Sequence, residues 1–200
     1  MYSREDPEFE GDEKIIARKY EYLKEFLDIE EMKQIEEWTK LKYGEIIFDS
    51  DLDDWKTNKI FKQKVFNKRQ VGFVIEDTDG NKFGGFINEI IDKKSAGSWD
   101  SNIRDENAFV FSLKSNGRID GMMKFEIKDP KHTFVISENQ DWLFLFGSGN
   151  DIIVYEHQSQ KPSRCKQLSY NYHGIGTGLC GESVMRSEFI PKRIIVIQMK

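Results

Sequence analysis

The sequence is poor in cysteine and has no long apolar run. Cys165 and Cys180 are its only cysteines among 200 residues, whereas a secreted domain of this size that is held by disulfides normally carries more. No stretch approaches the roughly 20 apolar residues that a membrane span needs. The acidic start of the chain lacks the apolar core of a secretory signal. We therefore expect a reduced, soluble, cytoplasmic protein, with the nucleus as an open alternative.

No catalytic or metal-binding motif can be recognised in the sequence. None of the three histidines is spaced from another His or Cys as zinc ligands are. The acidic run 49–54 resembles the start of an EF-hand loop, but Asp54 stands where the loop needs Gly and Ile60 where it needs Glu. A turn into a helix, with carboxylates near the positive end of its dipole, is favoured instead. We expect a protein that is not an enzyme and holds neither a metal nor a cofactor.

The two cysteines are the candidate redox residues. His173 lies between Cys165 and Cys180 in the sequence, and a thiolate nucleophile needs such a partner or another positive neighbour. A small thiol-dependent enzyme is therefore one alternative. The simpler expectation is two ordinary, partly buried thiols.

The first 40 residues differ from the rest of the chain in composition and in the spacing of their apolar residues. Residues 1–12 are acidic and aperiodic, which predicts a flexible tail. Residues 13–40 contain no Gly or Pro, and their apolar residues recur at steps of three and four, as in an amphipathic helix. Asp28 followed by Glu31 predicts a capping box and hence two helices. This segment either packs on its own domain or forms a short coiled coil that makes a homodimer.

From residue 41 to residue 200, short β-prone runs dominate. Asp79-Gly80 between two such runs predicts a hairpin, and most gaps are too short for crossover helices, so the sheets should be mainly antiparallel. One helix is expected over about 52–68, with Asp51 or Asp53 at its start, and residues 158–188 should form a loop. The residues therefore predict a mainly β (α+β) sandwich or barrel. The predicted strand runs are 45–48, 71–76, 82–91, 108–113, 122–127, 133–137, 142–146, 152–155 and 193–199.

Residues 55–70 form a basic island in a chain whose formal net charge is −5. The island has no acidic residue, and its basic residues are candidates for binding an acidic partner, anionic lipid or nucleic acid. On a helix they spread over more than one side, unlike the single stripe of a groove-reading helix. A solvated helix face is the simpler alternative. The six residues are Lys56, Lys59, Lys62, Lys64, Lys68 and Arg69.

The order of motifs from Gly44 onward resembles the TLDc domain family. The run 46–55 resembles the opening segment of that family, and Lys82-Phe83-Gly84-Gly85-Phe86 resembles its FGG mark. Ser98-Trp99 with the stretch 105–113, and then 146–154, resemble two later motifs, although Ser148 stands where Gly is usual. The closing strand 193–199 matches in position but not in acidic character. The family-motif residues are Phe83, Gly84, Gly85, Phe86, Trp99, Asp105, Asn107, Phe111, Ser112, Phe146, Gly147, Gly149 and Asp151.

This resemblance covers about residues 41–200 and implies two antiparallel sheets packed as a sandwich with a few flanking helices. It also implies a role in oxidation resistance and binding to the vacuolar proton-pumping ATPase, and it brings no catalytic residues. We therefore expect a non-enzymatic protein-interaction module. The alternatives are a stress-responsive regulator that binds nucleic acid through the basic helix, and the small thiol-dependent enzyme.

Overall fold

A computed structural model describes residues 21–92, 103–136, 140–147, 151–166, 171–173, 178–180 and 187–200. The contacts divide the chain into two compact units, Met1–Lys40 and Leu41–Lys200. The predictions for the acidic tail, for most of the first helix, and for Trp99, Ser148 and Gly149 lie outside the described residues. None of the described helices is long and apolar enough to cross a membrane.

In the first unit, the predicted break between two helices is confirmed. Residues 21–24 are helical, a turn follows, and helix α1 then runs over Ile29–Thr39. The Asp28 carboxylate accepts a hydrogen bond from the Glu31 backbone N–H at 2.8 Å. The Glu31 side chain accepts one in return from the Asp28 N–H at 2.9 Å. This capping box satisfies two backbone donors that the first turn leaves unpaired, which fixes the start of α1.

The second unit consists of two antiparallel sheets. The strands that the structure describes are β1 (Tyr43–Asp49), β2 (Val71–Asp77), β3 (Lys82–Ile87), β4 (Phe109–Lys114), β5 (Met123–Glu126), β6 (Phe134–Val135), β7 (Trp142–Phe146), β8 (Ile152–Tyr155), β9 (Ser163–Arg164), β10 (Glu188–Phe189) and β11 (Pro191–Met199). One sheet has six strands in the order β1-β11-β2-β3-β4-β5, and the other has five in the order β10-β9-β8-β7-β6. Each of these strand pairs is antiparallel, as the short gaps predicted.

Phenylalanines from both sheets make the core between them. The ring of Phe73 on β2 lies 4.9 Å from that of Phe144 and 5.6 Å from that of Phe146, both on β7. Phe134 on β6 lies 4.9 Å from Phe73. These rings are buried, and burial of such large apolar side chains is the main favourable term that holds the sheets face to face. The fold is therefore the predicted β-sandwich.

Strand β11 lies in the middle of the six-stranded sheet, between β1 and β2. Ile194 and Val196 belong to the core between the sheets, whereas Ile195 and Ile197 are buried on the opposite face. A strand that is buried on both faces typically has an unbroken run of apolar, β-branched residues. The run in β11 predicted this burial.

Helix α2 (Asn58–Val65) is shorter than the predicted helix 52–68. The prediction that Asp51 or Asp53 caps this helix was wrong, because the N-cap residue is Thr57. The acidic run forms its own turn, in which the Asp49 carboxylate accepts a hydrogen bond from the Asp51 N–H at 3.0 Å. Side-chain bonds of this kind compete with the helix for backbone donors. Phe61 and Val65 of α2 are fully buried, as expected. A short 3-10 helix covers Pro130–His132.

Candidate functional site

The FGG motif on β3 allows close approach of β2 within its own sheet and of β7 in the facing sheet. A Cβ atom on Gly85 would lie 2.5 Å from the Phe146 ring, and one on Gly84 would collide with the Phe73 carbonyl oxygen. Real Cβ atoms do not make such contacts, so both positions require glycine. The motif residues Gly85 and Phe146 are therefore a packing pair that joins β3 to β7.

The second motif lies beside the first because β4 pairs with β3. Phe86 is opposite Phe109, Gly84 is opposite Phe111 and Phe83 is opposite Ser112. The Ser112 hydroxyl is buried and has no hydrogen-bond partner among the described residues. The pairing register thus places the family-motif residues of two separate sequence stretches on the adjacent strands β3 and β4.

Asp105 closes the loops that flank these strands. One oxygen of its carboxylate accepts hydrogen bonds from the backbone N–H groups of Asn88 and Glu89, at 2.6 and 3.1 Å. The other oxygen accepts from the Asn107 N–H at 2.9 Å. The side chain is buried, and the three donors compensate for the lost hydration of the carboxylate. Asp105 therefore has a structural role in the described part of the chain.

Asp151, the last motif residue, is different because its carboxyl group is buried and has no hydrogen-bond partner in the described part of the chain. Neither side-chain oxygen has a hydrogen-bond partner among the described residues. A Cβ atom on Gly147, whose φ is +73°, would collide with this carboxyl group. Burial raises the pKa of Asp151 to about 7 from its ordinary value of 3.8, although the N–H of Asp151 itself counteracts part of this shift. Burial, Asp151 and Asp105 also raise the pKa of Tyr172.

The two cysteines form a disulfide, which corrects the expectation of two ordinary thiols. Cys165 and Cys180 are joined, with Cα atoms 6.1 Å apart, and both are buried. Neither sulfur is a thiol in this structure, so no Cys–His pair with His173 forms. The sequence missed the bond because their separation of 15 residues does not show whether two cysteines meet in space.

The acidic run 49–54 holds cationic side chains of the same chain. The buried Asp49 carboxylate accepts two hydrogen bonds from Arg193, at 3.2 and 2.8 Å, and Asp51 contacts the same guanidinium at 3.1 Å. Asp53 makes a salt bridge of 2.8 Å with Lys64. Because α2 begins several residues later, these carboxylates are not at its positive end. The expectation of a helix-dipole role was wrong.

The basic island divides into residues with different surroundings. Lys56 and Lys59 are exposed at the start of α2, and Arg69 is exposed beyond its end. Lys64 is neutralised by Asp53. Lys62 and Lys68 are half-buried. The prediction that these residues bind a partner therefore has its strongest remaining candidates at the start of the helix.

An aromatic pair that the sequence analysis missed adjoins that helix start. The rings of Trp55 and His157 are stacked 4.7 Å apart with an interplanar angle of 21°, and the His157 N–H donates to the Trp55 carbonyl oxygen at 3.1 Å. The two residues are 102 positions apart in the sequence, so no local pattern could have joined them.

The fold and the motif contacts define a mainly β domain in which glycine and aromatic residues lock two sheets together. The family model of the TLDc domain matches residues 10–183, and the chain belongs to this family. The match starts and ends earlier than the range of about 41–200 on which the resemblance was seen. No curated protein matches the chain significantly.

Proposed function

We propose that the chain is a non-enzymatic protein-interaction module of the TLDc type, which acts in the oxidative-stress response by binding the vacuolar proton-pumping ATPase. Membership of the TLDc family carries this proposal. The described family-motif residues support it, because Gly84, Gly85, Phe146 and Asp105 serve packing and loop closure. Because these motif residues build the scaffold, recognition of a partner depends on other residues at the surface.

The charge distribution gives the surface a place where recognition can occur. The chain is acidic overall, yet Lys56 and Lys59 are exposed beside the rigid aromatic pair of Trp55 and His157. A positive electrostatic potential at one place on a chain of negative net charge orients an approaching partner. This favours a binding role over a passive solvated face.

Affinity capture from native extract tests the proposal. Tagged full-length chain is immobilised, and retained proteins are identified by mass spectrometry with and without nuclease. We expect proton-pump subunits to be retained in both cases and to be absent from a heat-denatured control. Material that nuclease removes would instead favour the nucleic-acid-binding alternative. Retention of no more than the denatured control would count against an interaction module.

A further inference from the structure

We propose that the surface at the start of α2 is a docking site for a short acidic segment of a partner protein. This inference rests on the proposed function, because it names the part of the module that makes contact. We define the docking surface by four residues, which are Trp55, Lys56, Lys59 and His157.

The aromatic part of the docking surface is fixed to the scaffold. Trp55 is half-buried and packs against the core of the sandwich, and His157 is exposed and stacks on its ring. The backbone hydrogen bond between the two residues holds the stack in place. Because this aromatic surface is already ordered, it loses little conformational entropy when a partner binds.

The helix start is anchored to the end of the β7–β8 hairpin. The N–H of Asn58 donates to the Glu156 carboxylate at 2.6 Å, and the Asn58 amide donates to the carbonyl oxygens of Gln140 and Trp142 at 2.9 and 3.4 Å. Asn58 is buried. These bonds hold the element that carries Lys59 against the element that carries His157, so the cationic and aromatic parts keep one geometry.

Lys56 and Lys59 supply the positive charge of the docking surface. Both side chains are exposed, and no salt bridge to Lys56 or Lys59 occurs among the described residues. Lys64 on the same helix differs, because Asp53 holds it. Charge complementarity therefore selects a partner segment with carboxylates at this end of α2.

The same surroundings favour a protein segment over nucleic acid. Asp54 is exposed next to Trp55 and Lys56, and half-buried Glu156 lies next to His157. These acids repel a continuous phosphate backbone, whereas a peptide can place separate carboxylates against the lysines. One face of the Trp55 ring is already covered by His157, and the ring also packs against the core, which reduces the tryptophan area on which a base could stack.

Fluorescence anisotropy with the full-length chain tests the docking surface. The probes are a labelled peptide of alternating Glu and Leu, labelled single-stranded DNA and phosphatidylserine vesicles. We expect the peptide to bind most tightly, and K56E/K59E to weaken its binding at least about tenfold. His157→Ala should weaken it about threefold, because one aromatic contact is lost.

The matched control is K114E/K131E, which makes the same change of charge at two exposed residues on β4 and in the 3-10 helix. Both double variants should keep the wild-type unfolding midpoint, since all four lysines are exposed. Equal weakening by the two double variants would overturn the docking surface, because net charge alone would then explain it. Tighter binding of DNA or vesicles than of the peptide would overturn it as well.

Capture from native extract separates this inference from the proposed function. If K56E/K59E retains proton-pump subunits as well as the wild type does, the docking surface is wrong and the proposed function stands. If the wild type retains none, the proposed function fails, and the peptide titration alone decides the docking surface.

Discussion

At the scale of single residues, Asp151 is where burial and charge conflict most. Its carboxyl group is fully buried, and neither oxygen has a hydrogen-bond partner among the described residues. Ionisation there is unfavourable because burial removes the water that would hydrate the carboxylate, and the Asp151 N–H offsets only part of that loss, which is why the pKa rises to about 7. The folded chain therefore holds this proton up to about neutral pH, whereas the unfolded chain releases it near the ordinary value of 3.8.

Asp151→Asn should remove this pH dependence. Between about pH 4 and about pH 7, the folded state binds one more proton than the unfolded state, so stability falls as pH rises. Above about pH 7 both states are ionised, and the penalty stays at its full value, at most about 4 kcal/mol. The asparagine variant should match the wild type near pH 4 and be more stable at pH 8, as measured by urea unfolding.

Asp120→Asn is the control for that series, because Asp120 is exposed in the turn between β4 and β5. This variant removes one exposed carboxylate without changing the buried site, so it reports the effect of the change in net charge alone. A constant difference between Asp151→Asn and the wild type over the same range would show that the Asp151 carboxyl ionises in the folded protein as it does in water.

Gly85→Ala should destabilise the sandwich by about 2 kcal/mol. The new Cβ atom would lie 2.5 Å from the Phe146 ring, and that ring cannot move freely because it is buried against Phe73 and Phe134. Gly72→Ala is the matched control on the neighbouring strand, where the nearest atom would lie 3.9 Å away. Urea unfolding of the two variants measures the difference, and equal stability would contradict the packing role of the FGG motif.

At the scale of elements, the disulfide joins Cys165, the residue that follows β9, to the buried Cys180. The segment between the two cysteines is also held at its middle. The Tyr172 hydroxyl donates to the Thr133 carbonyl oxygen at 2.9 Å, and the Asn171 amide donates to that of Asp129 at 2.7 Å. The disulfide and these bonds therefore hold the described residues 171, 172 and 180 to the rest of the domain.

The double variant Cys165→Ala/Cys180→Ala should lose about 3 kcal/mol of stability, because a disulfide that closes a loop of this length restricts the unfolded chain. Reductant should destabilise the wild type by a similar amount and leave the variant unchanged. Urea unfolding with and without reductant measures this. Thiol titration of the unfolded, unreduced wild type should find no free thiol, and two thiols per chain there would contradict the bond.

Most strands could be predicted from the sequence, including the four-residue β8 and the two-residue β6, whereas β9 and β10 could not. β2 shows alternation, β7 an unbroken apolar run and β11 a β-branched run, and their predicted bounds lie within two residues of the observed ones. β9 and β10 have two residues each, which is too few for any period, so β9 and the first residue of β10 fell within the predicted loop 158–188. The start of α2 was missed because the turn bonds of Asp49 and Asp53 cannot be read from spacing alone.

The sequence identified the site residues but did not reveal how they are used. The motif positions were found through their order in the chain, yet the contact of Gly85 with Phe146 crosses from one sheet to the other. The isolation of Asp151 depends on what packs around it in three dimensions. The stack of Trp55 on His157 joins distant loops. Contacts of this kind follow from the fold and leave no local signal.

At the scale of the whole molecule, the chain combines a net charge of −5 with a basic island. Such asymmetry makes association sensitive to salt, because exposed charges are screened within about 10 Å at 0.1 M ionic strength. We expect partner binding to weaken as salt rises, mainly through a slower association rate. Surface plasmon resonance at several salt concentrations measures this, and an association rate independent of salt would exclude a steering role for the island.

Equilibrium titration of the full-length chain against the purified soluble sector of the vacuolar proton-pumping ATPase tests the central claim most directly. Isothermal calorimetry should give saturable binding with a fixed stoichiometry, and K56E/K59E should weaken it while K114E/K131E does not. Absence of heat and of co-elution at concentrations well above those of the extract experiment would contradict the claim that this TLDc domain binds the pump.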